Sequence, residues 1–165
     1  MRSVLLLLVL TPIGGYADVH DAVFGQWAGE SSILDIGVVG ESLHARVIAL
    51  KDPLYLVDEE FGPVGAARRD DLNPEESLQN RPILGLDLLV EYRFEKGKWQ
   101  GKMYDPGSGN TYSSTIRVDG KGQLQMRGYI GLPMFGRSVT FLPVSNCDEI
   151  TRKMIALAQL DVACD

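Results

Sequence analysis

Arg81, Tyr104, Asp105, Arg127, Tyr129 and Arg137 are the residues of this chain whose types could hold or act on a substrate. An arginine fork binds an anion or a carbonyl, and a phenol beside a carboxylate can orient a polar group. Asp105 with Tyr104 and Arg127 would make a hydrolase-like site if the carboxyl sat in a cleft that raised its pKa. The plainer alternative is equally physical. Asp105 opens the turn Asp105-Pro106-Gly107-Ser108-Gly109-Asn110, and arginines on strands usually face water.

Other marks of an enzyme are missing. The chain has no G-x-S-x-G, no H-E-x-x-H, no Walker A and no dinucleotide fingerprint. Asp71, Asn73 and Glu75 have the spacing of the first three ligands of a calcium loop. However, Glu76 stands where that loop needs glycine, and Pro82 where it needs its bidentate glutamate. His20 falls in a terminal segment and His44 in a strand, and both read as surface residues. No metal, no cofactor and no catalytic residue is expected, and the reading leans away from an enzyme.

The elements that must position these residues are mostly strands. Leu88, Val90, Tyr92 and Phe94 alternate with Leu89, Glu91, Arg93 and Glu95 before the turn Lys96-Gly97. The same period runs through Trp99–Tyr104, Thr111–Val118 and Leu124–Ile130, and Val139 and Phe141 mark a last strand. Upstream, Leu34 to Val38 and Leu43 to Ala49 alternate as well. Short Gly-rich turns between such runs make an antiparallel meander, and seven or eight strands favour closure into a barrel. Asn73-Pro74-Glu75-Glu76 has the residues of a helix start, which predicts a short helix over 74–79 ahead of the main meander.

Cys147 and Cys164 are the only cysteines. Between them Ile150, Met154, Leu157 and Ala158 recur at helical spacing, with Asn146 or Asp148 as cap. A continuous helix would hold the two thiols about 25 Å apart at 1.5 Å per residue. A disulfide needs Cα atoms within about 7 Å, so it requires the helix to stop near Gln159 and the tail to double back. A bridged pair is the first reading and a free pair the second.

The amino terminus has the layout of a secretory signal peptide over 1–17. Arg2 precedes the apolar run Val4 to Leu10, and Gly15 and Ala17 place small residues before a cut at Asp18. Seven apolar residues are too few to span about 30 Å of hydrocarbon, which takes roughly 20 in a helix, so no transmembrane segment is expected after its removal. The whole chain of 165 residues has 16 basic and 22 acidic residues, a net charge of −6. That balance argues against a nucleic-acid binder or an electrostatic binder of anionic membranes.

Several stretches together carry a resemblance. They are Gly25-Gln26-Trp27, Asp71-Leu72-Asn73-Pro74, Arg81-Pro82-Ile83-Leu84-Gly85-Leu86, Trp99 to Pro106, Leu124 to Gly131 and Phe135-Gly136-Arg137. In order and spacing, over about Val23 to Pro143, the chain resembles the domain-of-unknown-function family 2147 of small exported bacterial proteins. It departs from the family pattern in a longer, more acidic connection at 52–69, in Gly101-Lys102 where a double glycine is common, and in the added cysteine segment. The family looks lipocalin-like, an antiparallel up-and-down β-barrel with room for a small molecule. The resemblance implies that Trp27 closes one barrel end, with Arg137 as its cation–π partner.

The expected architecture is therefore mainly β: a signal at 1–17, a lipocalin-like barrel at 18–143 and a C-terminal helical extension at 144–165. The expected function is binding of a small hydrophobic or amphipathic molecule in the periplasm or outside the cell. Leu88, Val90, Tyr92, Met103, Tyr112, Ile116 and Met126 would line the site, with Arg127 or Tyr104 orienting a polar end. The alternatives are the hydrolase-like site and an envelope protein that binds a protein partner through its surface, with no cavity.

Overall fold

The computed structural model describes residues 19–164, so the expected signal segment lies outside the described residues. The alternating stretches pair as one antiparallel sheet of eight strands. β1 (Gly25–Ala28), β2 (Ser32–Val39) and β3 (Ser42–Leu50) form a first meander. β4 (Leu89–Glu95), β5 (Lys98–Asp105), β6 (Asn110–Val118), β7 (Leu124–Tyr129) and β8 (Arg137–Pro143) form a second. The sheet order β3-β2-β1-β8-β7-β6-β5-β4 brings β8 back to β1. That contact is short, limited to Trp27 opposite Pro143 and Ala28 opposite Leu142.

The two ends of the sheet are drawn together just ahead of β4. Val47 N donates to Leu86 O at 3.0 Å, Gly85 N to Val47 O at 2.8 Å and Leu88 N to Ala45 O at 3.0 Å. Asp87 fastens the seam: its Oδ1 accepts from Ala45 N at 3.0 Å and Leu89 N at 3.2 Å, while Oδ2 meets His44 Nδ1. His44 is thus a seam residue and not a plain surface one. The result is a nearly closed up-and-down barrel, which leaves few unpaired edge groups.

Period two breaks in β4, and the break changes a site residue. Glu91 adopts a left-handed φ of 54°, and the β4–β5 register shifts between Val90 and Arg93. This bulge sends Leu89 and Tyr92 inward and leaves Val90 44% exposed. Val90 therefore does not line the interior, contrary to the sequence expectation.

One barrel end is packed solid. Trp27 is buried and donates from Nε1 to Val23 O at 2.8 Å, holding the single 3-10 turn Asp21–Val23 against the barrel. Trp99 donates from Nε1 to His20 O at 3.0 Å, and the His20 ring lies against Phe94 and Trp99. Arg137 is not at this end. It begins β8, whereas Trp27 pairs with Pro143 at the far end of that strand, six residues or about 20 Å away. The expected Trp27–Arg137 stack is therefore not formed.

The predicted helix over 74–79 is a 3-10 turn at Glu76–Leu78. Asn73 does accept from Glu75 N at 2.9 Å, but its amide nitrogen is drawn into buried contacts with Asp70 and Tyr104, which fixes the chain in a tight turn. The C-terminal helix, α1, spans Glu149–Ala158, capped by Asp148, which accepts from Thr151 N at 2.7 Å. Gln159 ends it in the left-handed region, and the tail returns to place Cys164 on Cys147 in a disulfide with Cα atoms 5.5 Å apart. Met154 of α1 packs with Ala28, Ile33, Ala49 and Val144 in a second core outside the barrel. A register shift at Ile33/Leu34 lets Leu34 and Val47 join the barrel core while Ile33 and Ala49 join this outer one.

Candidate functional site

Above the packed end the barrel holds a cavity of about 760 Å³. Its floor is made by side chains that fill the lower barrel. Tyr92 lies across Gly101 and hydrogen-bonds Ser114 Oγ. A Cβ on Gly101 would come within 2.5 Å of the Tyr92 ring, so this crossing needs glycine. Ile116 is fully buried in the same layer, opposite Trp99 and Met126.

The cavity walls come from both meanders. Leu34, Val47 and Leu50 face Met103, Tyr112 and Met126, with Leu88 and Ile83 supplied from the connection before β4. Val139 and Phe141 of β8 complete the wall beside Gly128, where the missing side chain leaves room. Asp105, Lys51, Asp52, Arg68 and Arg137 stand around the opening together with Ile130 and Phe135.

The expected site residues separate into three groups. Leu88, Met103, Tyr112 and Met126 line the cavity. Tyr92 and Ile116 belong to the packed layer below it, and Val90 faces solvent. The polar candidates do not converge. Tyr104 borders the cavity, but its hydroxyl donates to Asp70 Oδ1 at 2.5 Å and accepts from Asn73 Nδ2 at 3.0 Å. Asp105 accepts from Gly107 N at 3.0 Å and Ser108 Oγ at 2.7 Å, the turn role expected of it. Arg127 spends its guanidinium on Pro133 O and Ser138 Oγ. The three side chains serve three separate hydrogen-bond sets.

Asp70 is the residue that sequence reasoning missed. It is 0% exposed, and Arg81 reaches it with Nε at 2.8 Å and Nη2 at 2.7 Å. With Asn73 and Tyr104 it forms a buried network in which the carboxylate accepts from every partner. Burial first, and the bond to Asp70 second, push the Tyr104 hydroxyl up to about pKa 12. This network locks the long connection at 51–88 onto β5 beside the cavity. An aspartate three residues before an asparagine, and eleven before an arginine, was the only sequence signal for it.

Gly109 interlocks the same region. It has φ +69°, and a Cβ there would strike the Leu72 carbonyl, so the β5–β6 turn sits directly on the connection. Among the described residues, no three His, Cys, Asp or Glu side chains are grouped to hold a metal ion. Among the same residues, no helix is long and apolar enough to cross a membrane.

A solved structure described as "Protein HP1028 from the human pathogen Helicobacter pylori belongs to the lipocalin family" has a similar fold. It is 19% identical, with a TM-score of 0.57 over 85% of this chain and 90% of that one. No curated protein matches the chain. A family model described as "Uncharacterized protein conserved in bacteria" matches residues 25–142, from the first residue of β1 almost to the end of β8. With eight antiparallel strands in a nearly closed, lipocalin-like barrel, this chain belongs to that bacterial family, DUF2147.

Proposed function

We propose that the chain is an exported protein that binds a small hydrophobic or amphipathic molecule in the upper half of its barrel. The observation that carries this reading is the cavity of about 760 Å³, walled mainly by apolar side chains and open at one end. Ligand sites commonly measure about 300–1,000 Å³, and a barrel of eight strands is wide enough either to fill itself or to hold one small ligand. Here the lower half is filled and the upper half is not.

Burial of an apolar ligand at about 25 cal/mol per Å² would drive binding. Met103 and Met126 supply adaptable walls. Tyr112 and Arg137 at the upper rim, in place of Tyr104 and Arg127, would orient a polar end. Export to the periplasm or beyond is supported by the Cys147–Cys164 bridge, since such bonds persist in oxidising compartments. It is supported too by the signal-like pattern in residues 1–17.

Native mass spectrometry of protein purified from its own host tests the reading, paired with uptake of an apolar fluorescent dye. A stoichiometric added mass that is lost on denaturation, with dye uptake after its removal, is expected. Bare protein mass together with no dye uptake would overturn it.

A further inference from the structure

The connection between β7 and β8 breaks the ordinary rule that loops present polar side chains. Ile130, Leu132, Met134 and Phe135 are 78%, 59%, 73% and 75% exposed, four large apolar side chains within six residues. They are also held in place. Arg127 donates from Nε and Nη2 to Pro133 O at 3.0 and 2.8 Å, from Nη2 to Met134 O at 3.3 Å, and from Nη1 to Ser138 Oγ at 3.0 Å. The 3-10 turn Pro133–Phe135 closes on Gly136, where a Cβ would come within 2.5 Å of Gly128 O. The apolar tip is thus a fixed feature.

Charge selects what such a tip would meet. The chain has 22 acidic residues, yet none lies between Gly120 and Cys147, a stretch holding Lys121, Arg127 and Arg137. Among the described residues the Arg137 side chain has neither a hydrogen bond nor an ion pair. Exposed apolar groups flanked by cations match the boundary between headgroups and acyl chains of an anionic bilayer. Screening over about 8 Å at physiological salt leaves only nearby charges to act, so the net charge of −6 does not govern this face. Of the acidic residues around the opening, Asp105 is engaged by Gly107 N and Ser108 Oγ, and Asp52 lies 3.9 Å from Lys153.

We propose that the Ile130–Phe135 tip docks the barrel mouth on an anionic phospholipid bilayer, with its apolar side chains inserted and Arg137 against the phosphates. Ile130 and Phe135 also line the cavity, so the docked face is continuous with its opening. An amphipathic ligand could then pass between bilayer and barrel without crossing water. Docking itself does not depend on the cavity reading.

Co-sedimentation of the purified full chain with phosphatidylglycerol/phosphatidylethanolamine vesicles, against phosphatidylcholine vesicles, tests the proposal. Preferential, salt-sensitive binding to the anionic vesicles is expected. The double variant Leu132→Ser/Met134→Ser, whose side chains do not line the cavity, should bind about tenfold more weakly. Arg137→Ser should lose about fivefold. Dye uptake by the double variant should equal that of the parent, which also confirms that it folds. Equal vesicle binding by parent and double variant would overturn the proposal. So would failure of the parent to bind anionic vesicles, including the case where the double substitution only dissolves a dimer in size-exclusion chromatography. Vesicle binding without dye uptake would retain the docking surface and remove the cavity reading.

Discussion

The Tyr104 hydroxyl meets the Asp70 carboxylate at 2.5 Å, joining the end of β5 to a residue 34 positions earlier in the chain. Asp70 is fully buried, yet it is not an isolated charge: Arg81, Asn73 and Tyr104 all donate to it. A buried carboxylate is tolerated only when it is satisfied in this way. The wall of the cavity beside β5 depends on this one cluster.

Tyr104→Phe removes one donor to a buried charge and should destabilise the barrel by about 1.5–3 kcal/mol in urea unfolding. The pH dependence carries a sign. Because folding raises the hydroxyl pKa from about 10 to about 12, the neutral phenol is favoured in the folded state. Its contribution is complete below about pH 10 and is lost as pH rises through 12. The stability gap between parent and Tyr104→Phe should therefore close across that window; a gap constant from pH 8 to 12 would contradict the assignment.

Gly128→Met is expected to fill the cavity with little effect on the fold. Gly128 lines the space, and a Cβ there would make an ordinary 3.5 Å contact with Tyr112. Dye uptake should fall at least about tenfold while the melting temperature moves by only a few degrees. Undiminished uptake would place the dye elsewhere.

Cys147→Ser/Cys164→Ser should cost about 3 kcal/mol, the chain-entropy value for a loop of this size. Asp148 still caps α1 and Met154 still packs in the outer core, so the barrel should persist. Hydrogen exchange should quicken first in the tail after Gln159. Faster exchange throughout β1 to β8 would show that the bridge supports the barrel as well.

Asp87→Ala takes the acceptor from two backbone amides and from His44 at the β3–β4 seam. A loss of about 2–4 kcal/mol in urea unfolding is expected, with exchange at Ala45 and Leu89 rising before that of β6 and β7. Uniform exchange across all eight strands would mean that the seam does not open on its own.

The strands and α1 were legible because their signals are local. Alternation from Trp99 to Val118 and from Leu124 onward, with glycine-rich turns between, allows little besides an antiparallel meander. The span of Cys147 to Cys164 required a helix stop near Gln159, and the chain turns there. The family resemblance placed Trp27 and the barrel together but misplaced Arg137, because a strand's register cannot be read from the residue at its start. Val90 was misassigned for a similar reason. One left-handed residue, Glu91, puts Val90 and Tyr92 on opposite faces although they stand two apart, and no residue type at that position announces it.

By itself the sequence determined the fold class, the C-terminal helix and the cysteine spacing that a bridge could satisfy. It also carried the absence of enzyme motifs and the acid-free stretch from Gly120 to Cys147. Only the tertiary structure decided which apolar residues fill the lower barrel and which face open space. It alone decided that Tyr104 and Arg127 are engaged elsewhere, and that Asp70 lies at the centre of a buried network. The physical reason is separation along the chain. Periodicity and turn chemistry act over a few neighbours, whereas the cavity walls come from strands far apart in the chain and the Asp70 carboxylate takes partners as distant as Tyr104, 34 positions on.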